Sequence, residues 1–566
     1  MYDCKQGTLC KDRQIMDLSD SLEEELQLRD VKFRRHGMAL ENTDFTRKLP
    51  IGVQSFEKLR REGFLYVDKT EYIHRLVQSG APYFLSRPRR FGKSLLLSTL
   101  KAYFEGKKEL FEGLKIAELE NDNPNAWEAY PIFYFDFNKD NFKRTDALED
   151  VLESHLETWE KIYGDEHKDA SLSVRFQKLI IKAREQTGKS VVVLVDEYDK
   201  PLLEVMTDDE MEEHNKAVFK GFFSTLKSYD EYLKFVFLTG VTKFSKVSIF
   251  SDLNQLQDIS IDERYAGICG ITEEEMKDNF SPEIEAMAVR RQMTVDECLA
   301  ELRRMYDGYH FYQETAGVYN PFSLLNSLDK KEFGMYWFST GTPTFLINKL
   351  NAIDFDASRF TDESLYADAG ELSDYRADNP DPVPLFYQTG YLTIRGYDEE
   401  FMSYALGYPN DEVKYGFLKS LAPSYLHSED EPGALDIRSF VRDIRSGNTE
   451  GLRDRFTAIF ARLPYTTDER PVEQNFQNVI YIVFMLLGQY VQMEIHSAKG
   501  RADCVVETKD YIYIFEFKRD GSADEALAQI EEKGYAVPYT ADKRKLYKIG
   551  VNFDSKERML TGWKVE

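Results

Sequence analysis

The sequence has few cysteines, no long apolar run and no excess of basic residues, and each shortage argues against a class of protein. Its five cysteines are scattered without metal-ligand spacing, which fits a reducing cytoplasm better than a disulfide framework. The longest apolar run, Val479 to Leu487, is about half as long as a membrane-spanning helix requires. The N-terminus shows no apolar core followed by a cleavage site. We therefore predict a cytoplasmic protein that does not engage a membrane.

The shortage of positive charge gives a formal net charge of -26, which argues against a protein that coats nucleic acid non-specifically. The acid is unevenly distributed, since residues 354–381 carry nine acids against two arginines. About the last hundred residues are close to neutral. A nucleic-acid partner is therefore neither excluded nor favoured at the C-terminal end.

What the sequence does contain is enough apolar material for packed cores, with 42% hydrophobic and 14% aromatic residues. A length of 566 residues suggests three or four domains. Residues 1–43 differ from the rest, because they are polar, mixed in charge and without a sustained apolar period. We predict a flexible extension there, and the alternative is that the natural chain starts at Met38.

From Leu49 onward, strand-like and helix-like stretches alternate, which is typical of an α/β layer. Val191–Val195 is a run of five apolar, mostly β-branched residues, which suits a parallel strand buried on both faces. The predicted strands of this region are Pro82–Ser86, Pro131–Phe137, Val191–Val195 and Phe235–Leu238. The predicted helices are 93–104, 145–163, 174–186 and 209–230.

Two further regions are predicted beyond residue 264. Residues 265–330 are mostly helical, and 384–408 contain a hairpin with Thr389-Gly390 near its bend, which suggests a small winged-helix-like module. Helices follow at 436–462 and 473–488. The C-terminal part is predicted to contain strands at 502–507 and 511–518, a helix at 523–535 and a strand at 545–551.

The segment Ser86-Arg-Pro-Arg-Arg-Phe-Gly-Lys-Ser94 lies between a predicted strand and a predicted helix, where a phosphate-binding loop belongs. Lys93 would reach the terminal phosphates of ATP, and the Ser94 hydroxyl would ligate Mg²⁺. Arg87 replaces the first glycine of the usual pattern, and a basic strand-to-helix turn is the alternative interpretation. The residues assigned to nucleotide binding in this loop are Arg89, Arg90, Phe91, Gly92, Lys93 and Ser94. The three arginines at 87, 89 and 90 could neutralise phosphate charge or could simply be solvated.

The apolar strand at 191–195 delivers Asp196 and Glu197 to its carboxyl end, where ligands bind in such folds. Asp196 would hold Mg²⁺, and Glu197 could orient or deprotonate the attacking water. A solvated acidic turn would explain the two acids but not the long apolar strand before them. After the next strand, Thr239 or Thr242 could contact the γ-phosphate or the water, or could be an ordinary turn residue.

Near the C-terminus, alternation along a predicted strand puts Glu516 and Lys518 on one face. If Lys509 and Asp510 form a two-residue turn, Asp503 lies directly across from Glu516. Opposed carboxylates are unfavourable unless a cation lies between them, so the pattern predicts Mg²⁺ bound by Asp503 and Glu516. Lys518 would orient or deprotonate a water for attack on phosphorus. A longer bend with a shifted register, or an ordinary hairpin with one charged face in water, is the alternative.

Six segments are specific in combination: Tyr66-Val-Asp-Lys-Thr70, Arg87-Pro-Arg-Arg-Phe-Gly-Lys-Ser94, Val195-Asp-Glu-Tyr-Asp-Lys-Pro201, Leu238-Thr-Gly-Val-Thr-Lys-Phe-Ser245, Tyr306-Asp-Gly-Tyr309 and Tyr319-Asn-Pro-Phe322. Together they resemble the predicted AAA-ATPase-like family of bacteria, in which Arg87 is the usual residue. The resemblance runs from about Lys48 to the C-terminus. It implies a P-loop ATPase domain, a helical and winged-helix-like part, and a C-terminal PD-(D/E)XK nuclease-like domain.

Resemblance to the PD-(D/E)XK superfamily adds Gln529 and Tyr535, which match its Gln…Tyr pattern on the helix after the strand. Glu494 and Glu473 are further candidates for the outer metal shell, with surface acids as the alternative. The predicted domains are the extension (1–43), a P-loop AAA-ATPase-like domain (44–264), a helical lid-like region (265–335), a winged-helix-like and helical region (336–465) and a nuclease-like domain (466–566).

These features lead to one hypothesis and two alternatives. The leading hypothesis is an ATPase, with ATP and Mg²⁺ as cofactors, coupled to a nuclease-type domain that cuts phosphodiester bonds of DNA or RNA. In the first alternative, the nuclease fold is inactive and only recognises nucleic acid or a protein partner. In the second alternative, the chain binds ATP but turns it over negligibly. The sequence indicates neither an oligomeric state nor an arginine supplied in trans.

Overall fold

The computed structural model contains one small and one large compact unit. The small unit includes residues 47–49 and 63–65, where Lys48 forms a parallel bridge with Phe64. The large unit holds the rest of the described chain. The described residues are 47–566 without 140, 165–166, 207, 245–255, 341–345, 348–349, 351–356, 361–364, 374–380, 427–435, 462–471, 496–503 and 558. The extension predicted at 1–43 therefore lies outside the described residues.

A parallel five-stranded sheet forms the centre of the N-terminal region. Its strands are β1 (Pro82–Ser86), β2 (Ile132–Asp136), β3 (Val191–Asp196), β4 (Leu233–Gly240) and β5 (Gln257–Asp258). They lie in the order β2-β3-β4-β1-β5, and every neighbouring pair is parallel. The side chains of residues 191–195 are fully buried, because strands border β3 on both edges and helices cover the sheet. The predicted parallel α/β layer is confirmed.

Helices of this region flank the sheet. They are α1 (Phe56–Arg61), α2 (Thr70–Ser79), α3 (Lys93–Phe104), α4 (Lys115–Leu119), α5 (Ala147–Tyr163), α6 (Leu172–Thr187), α7 (Lys200–Leu203), α8 (Asp209–Phe223) and α9 (Thr225–Ser228). The Phe135 ring of β2 contacts Trp159 of α5, Phe176 of α6 and Phe222 of α8, with centroids 4.9, 5.3 and 5.5 Å apart. Each such buried ring stabilises the fold by ~2 kcal/mol, so this cluster fixes the edge where β2 and β3 end.

Three long helices open the middle region: α10 (Glu273–Arg291), α11 (Val295–Tyr306) and α12 (Pro321–Lys330). Capping boxes begin the first two, because Thr272 and Thr294 each accept from the third helical amide while Glu275 and Glu297 reach back. The remaining helices are α13 (Ala369–Ser373), α14 (Val383–Gln388), α15 (Asp411–Leu426), α16 (Ile437–Ser446), α17 (Thr449–Phe460) and α18 (Val472–Leu487). The strands are β6 (Ile271–Thr272), β7 (Val318–Tyr319), β8 (Tyr366–Asp368), β9 (Thr393–Asp398) and β10 (Ser403–Gly407), with β6 paired to β7 and the others in the order β8-β10-β9.

The predicted hairpin exists, but its bend was placed wrongly at Thr389-Gly390. β9 pairs antiparallel with β10, and the bend falls at residues 399–402. Thr389 and Gly390 instead end α14, where the Thr389 amide donates to the Leu385 carbonyl and Gly390 has a φ of 88°. A glycine at positive φ serves a helix end as well as a hairpin bend, so the residue types alone do not separate the two.

The C-terminal sheet is mixed. Its strands lie in chain order: β11 (Gln492–Ile495), β12 (Cys504–Glu507), β13 (Tyr511–Arg519), β14 (Lys545–Asp554) and β15 (Met559–Val565). β13 and β14 are parallel and are joined through α19 (Ala523–Glu532), whereas the other neighbours are antiparallel. The helix ends three residues before its predicted end, and neither β11 nor β15 was predicted. The alternation of β15 is weak, since none of its side chains is fully buried.

Alternation along β13 divides its side chains between two cores. Tyr513 and Phe515 belong to the large aromatic core, whereas Ile512 and Ile514 pack with Ile530 of α19. The second set continues toward the end of the strand and faces α19. Among the helices that the structure describes, none has both the length and the apolar character needed to cross a bilayer.

Candidate functional site

The loop after β1 brings the assigned phosphate-binding residues to the carboxyl edge of the parallel sheet. Gly92 has a φ of 99° and Arg90 a φ of 67°, so the chain turns sharply before Lys93 and Ser94 begin α3. Apart from Gly92 and its two chain neighbours, no atom of the described residues lies within 4 Å of the place where a Cβ on Gly92 would be. The loop therefore presents open backbone at the start of a helix, which is the arrangement that binds phosphate.

Lys93 lies beneath this loop with only 3% of its surface exposed. Its Nζ donates to the carbonyl oxygens of Arg87 and Pro88 at 3.0 and 3.3 Å and lies 3.2 Å from Oε1 of Glu197. An ammonium group has three N–H donors, so these three acceptors satisfy it. The structure thus pairs the lysine of the loop directly with the acid that follows β3.

Asp196 ends β3 beside this pair and is 2% exposed. Its Oδ1 accepts from the Thr239 hydroxyl at 2.9 Å, and its Oδ2 accepts from the Tyr134 hydroxyl at 3.3 Å. Burial raises the pKa of Asp196, the charge of Glu197 raises it further, and hydrogen bonds from Ser94 and Thr239 oppose the rise. The structure brings Ser94, Asp196 and Thr239 together, with Thr239 and Tyr134 orienting the carboxylate. Nothing in the sequence marked Tyr134.

The turn after β3 holds two features that sequence reasoning missed. Glu197 has a left-handed φ of 51°, which costs a non-glycine residue ~1 kcal/mol. Asp199, two residues further along the chain, is fully buried. Its Oδ2 accepts from the amides of Val241 and Thr242 at 2.9 and 2.6 Å and from the Thr242 hydroxyl at 2.8 Å. Burial raises the pKa of Asp199, and the charge of Glu197 raises it further. Thr242 therefore donates hydrogen bonds to the Asp199 carboxylate.

Arg87 is a structural residue and does not face the phosphate site. It is 1% exposed, its guanidinium donates to three backbone carbonyl oxygens, and its plane lies 3.8 Å from the Phe311 ring centroid. The interpretation of a solvated or phosphate-neutralising arginine is therefore wrong for Arg87. Arg89 and Arg90 are exposed, so both remain candidates for phosphate.

Phe91 contributes to the loop through its backbone alone. Its side chain is 1% exposed and contacts Tyr309 and Phe311 of the middle region, with ring centroids 4.7 and 5.7 Å apart. Its carbonyl accepts from the Gly270 amide at 3.2 Å. Only the backbone of Phe91 is therefore left to contact a nucleotide.

The middle region also contacts the two exposed arginines of the loop, Arg89 and Arg90. The indole Nε1 of Trp337 donates to the Arg89 carbonyl at 3.0 Å, and the Arg90 guanidinium lies 5.1 Å from the Phe322 ring centroid. Trp337 is fixed in turn by Glu412 at the start of α15, whose Oε1 accepts from its amide at 2.7 Å. Burial raises the pKa of Glu412 to about 7. The conformation of the loop and the packing of the middle region are therefore linked.

In the C-terminal domain, Lys518 connects β13 to α19. Its Nζ donates to Oε1 of Glu516 at 2.9 Å and to Oε1 of Gln529 at 2.5 Å. The Gln529 amide in turn donates to the Tyr535 hydroxyl at 3.4 Å. Glu516 is 2% exposed, so its charge is compensated within the fold by this lysine. The structure brings all four residues into one chain of hydrogen bonds.

The two-residue turn predicted at Lys509-Asp510 joins β12 to β13, and Cys504 lies across from Phe515. The prediction for Asp503 depends on this register. Asp503 itself lies outside the described residues, so its position opposite Glu516 stays a prediction.

The two sites differ in how fully they fit their expected ions. The nucleotide site offers a lysine for phosphate, and the Ser94 hydroxyl and Asp196 carboxylate as the hard oxygen ligands that Mg²⁺ prefers. The C-terminal site offers the Glu516 carboxylate among its described residues. Glu494 lies on β11 and Glu473 on α18, and the structure describes only their backbone.

Comparison with known proteins agrees with this geometry. Residues 50–250 match a family model described as Predicted AAA-ATPase, and residues 472–563 match the PD-(D/E)XK nuclease superfamily. The chain therefore belongs to the predicted AAA-ATPase-like family with a C-terminal PD-(D/E)XK nuclease superfamily domain. The resemblance read from the six segments is confirmed.

A curated relative extends the similarity over most of the chain. The chain is 37% identical over 534 residues to an uncharacterized protein in the vnfD 5' region of Azotobacter chroococcum mcd 1. The match covers 92% of this chain and 99% of that protein. No solved structure matches the chain significantly.

Proposed function

We propose that the chain is an ATPase whose nucleotide state controls a Mg²⁺-dependent nuclease-type domain that cleaves phosphodiester bonds of nucleic acid. One observation carries the proposal: each site holds a lysine directly against a carboxylate. Lys93 lies 3.2 Å from Glu197, and Lys518 lies 2.9 Å from Glu516. A lysine and an acid beside hard oxygen ligands are the groups that phosphoryl transfer and phosphodiester hydrolysis require.

At the nucleotide site, the chemistry starts with an exchange of partners. Ser94 and Asp196 would hold Mg²⁺, which neutralises phosphate charge when bound. Lys93 exchanges its two loop carbonyls and Glu197 for phosphate oxygens. Glu197, released from the ion pair, then accepts a hydrogen bond from the attacking water and orients it.

A change in the conformation of the loop is transmitted to the C-terminal domain through the middle region. Trp337 bonds the Arg89 carbonyl, and Glu412 ties Trp337 to α15. α15 packs on α18, and α18 contacts the C-terminal sheet through Phe484 and Phe515, with ring centroids 5.1 Å apart. A loop that adjusts to phosphate thereby shifts packed helices and alters access to Lys518.

At the C-terminal site, Lys518 orients or deprotonates the water that attacks phosphorus. Gln529 positions Lys518, and Tyr535 positions Gln529. Glu516 would hold Mg²⁺, with Asp503 as the expected second ligand, and the ion supplies charge stabilisation for the phosphorane-like transition state.

The test uses the full-length protein with Mg²⁺, ATP and labelled DNA or RNA. The wild type is expected to release phosphate and to cut nucleic acid, whereas Lys518→Ala retains phosphate release and loses cleavage. A wild type indistinguishable from Lys518→Ala on every substrate would reject the nuclease. Equal phosphate release from wild type, Lys93→Ala and Glu197→Gln would reject the ATPase.

A second candidate is an ATP-dependent switch whose nuclease fold recognises nucleic acid without cutting it. The anchoring of the loop by Trp337 favours it, because this contact serves signalling whether or not the C-terminal site is active. Nucleotide-dependent binding of DNA or RNA without strand cleavage would establish the switch. Trp337→Phe, which removes the donor, would then weaken the nucleotide dependence.

A further inference from the structure

A groove rich in arginine lies on α16, outside both sites described above. Its volume is about 580 Å³, and its lining side chains are Arg438, Val441, Arg442, Arg445, Ser446 and Tyr490. The three arginines recur at positions i, i+4 and i+7, so they share one face of the helix. At a rise of 1.5 Å per residue they form a basic strip ~10 Å long.

Ion pairs among the described residues do not neutralise the strip. Within the described part of the chain, no acidic side chain forms a salt bridge with any of its three arginines, whereas most other arginines there have one. Arg442 donates to the Ser439 hydroxyl at 2.6 Å, and Arg445 donates to the Tyr490 carbonyl at 2.8 Å. All three arginines are exposed, in a chain whose net charge is -26.

Among the described residues, two acids lie close to the strip, and each has another partner. Asp443, the acid of α16, is buried and bonded to Arg455. Asp436 caps the helix, and its carboxylate accepts from the amide and the hydroxyl of Ser439. These hydrogen bonds lower the pKa of Asp436, and the charges of Arg455 and Arg442 lower it further. Within the part of the chain that the structure describes, three arginines thus face one exposed carboxylate, which leaves these residues with a net positive charge.

The groove is joined to the nuclease-like domain. The Tyr513 hydroxyl of β13 donates to the Ile444 carbonyl of α16 at 2.6 Å, and the Tyr547 hydroxyl of β14 donates to the Gly447 carbonyl at 3.3 Å. Along β13, Lys518 lies five residues beyond Tyr513, a distance of ~17 Å at 3.3 Å per residue. Because Tyr513 and Lys518 point to opposite faces of β13, a nucleic acid that contacts both the groove and Lys518 passes around the sheet.

We propose that Arg438, Arg442 and Arg445 bind the sugar–phosphate backbone of a nucleic acid several nucleotides away from the bond at Lys518, an inference that rests on the proposed function. Arginine suits this role, because its planar guanidinium donates two hydrogen bonds to one phosphate and keeps its charge. Tyr490, 41% exposed at the groove, offers a ring on which a base stacks. The strip explains how a strongly acidic chain holds a polyanion.

The experiment measures binding without cleavage, on full-length protein carrying Lys518→Ala and without divalent ions. Fluorescence anisotropy is recorded with a labelled 20-nucleotide DNA strand, the RNA of the same sequence and the DNA duplex, between 50 and 200 mM salt. The triple variant Arg438→Gln, Arg442→Gln, Arg445→Gln is expected to bind on the order of 100-fold more weakly near 0.1 M salt. The slope of log K against log salt is negative, and its magnitude should decrease by about 2 for single strands and by about 3 for the duplex.

The matched control is Arg453→Gln on α17, an exposed arginine paired with Asp454 outside the groove. It should change affinity by less than about twofold, and unchanged ATP binding shows that each variant is folded. Equal affinity and equal salt slope in the triple variant and the control would overturn the proposal, as would the absence of nucleic-acid binding by the parent protein. If the triple variant loses binding while the wild type cuts nothing, the groove is supported as a binding site and the nuclease is rejected. Cleavage by the wild type with unaltered affinity in the triple variant would reject the groove alone.

Discussion

The two lysine sites differ in what holds the lysine. Lys93 is satisfied by two carbonyls of its own loop and by Glu197, and it is almost fully buried. Lys518 is held by two side chains, Glu516 and Gln529, and 26% of its side chain is exposed. Under the proposed function, the first lysine would exchange partners on binding a phosphate, whereas the second already points at solvent beside its acid. We therefore call the nucleotide site closed and the described part of the C-terminal site pre-organised.

The largest effect is expected at the pre-organised site. Lys518→Ala removes the group that orients or deprotonates the water, so the rate of nucleic-acid cleavage should fall ~1,000-fold in a single-turnover assay. Lys564→Ala is the matched control, since Lys564 is an exposed lysine of the same domain that pairs with Asp524. Equal losses in the two variants would contradict a special role for Lys518.

At the closed site, Lys93→Ala should lower phosphate release from MgATP by at least ~100-fold, because the charge that faces the terminal phosphates is removed. Lys101→Ala tests the same helix, where Lys101 is partly exposed and pairs with Glu105. Phosphate release by this control should stay within twofold of the wild type. Wild-type turnover in Lys93→Ala would show that the loop does not bind the triphosphate.

Gln529→Ala sharpens the contrast, because it removes a positioning group and leaves the lysine. We expect cleavage to slow about tenfold with little change in KM, because Lys518 loses the hydrogen-bond acceptor that positions it. Gln529→Glu retains an acceptor and should recover part of the rate. An equal loss of rate in both variants would indicate a purely structural role.

The smallest effect concerns Glu412, the acid that ties Trp337 to α15. Burial raises its pKa from 4.5 to about 7, so the folded state favours the neutral form. The stabilisation is fully present below pH 4.5 and is lost as pH rises through 7. Glu412→Gln stays neutral, so its Tm relative to wild type should rise by ~2 °C between pH 5 and 8. Glu400→Gln, at an exposed acid of the β9–β10 bend, is the matched control.

Much of the frame that carries both sites could be predicted from the sequence. The bounds of β1 and α3 agree with the predicted 82–86 and 93–104, because an apolar strand, a basic loop and a helical period follow one another without ambiguity. The same holds for β13, whose alternation separates the isoleucines from the aromatic residues. Local periodicity specifies these elements, and tertiary contacts only complete them.

The roles of buried polar residues could not be predicted. From the sequence, Arg87 is an exposed cation of the loop. In the structure its guanidinium donates to the carbonyls of Ser260 and Tyr265, more than 170 residues away. Asp199 reads as a turn acid, but the chain after β4 folds over it. Nor does the sequence show that Lys93 is paired with Glu197, because that contact requires β1 and β3 to end at one edge of the sheet. Such roles depend on partners distant in sequence.

The most direct test of coupled phosphate chemistry is one cleavage assay with Mg²⁺, with and without ATP, on wild type, Lys93→Ala and Lys518→Ala. We predict ATP-dependent cutting by the wild type, loss of the ATP dependence in Lys93→Ala, and no cutting by Lys518→Ala. Identical products from all three proteins, or no cutting by any of them, would contradict an ATPase that controls a nuclease.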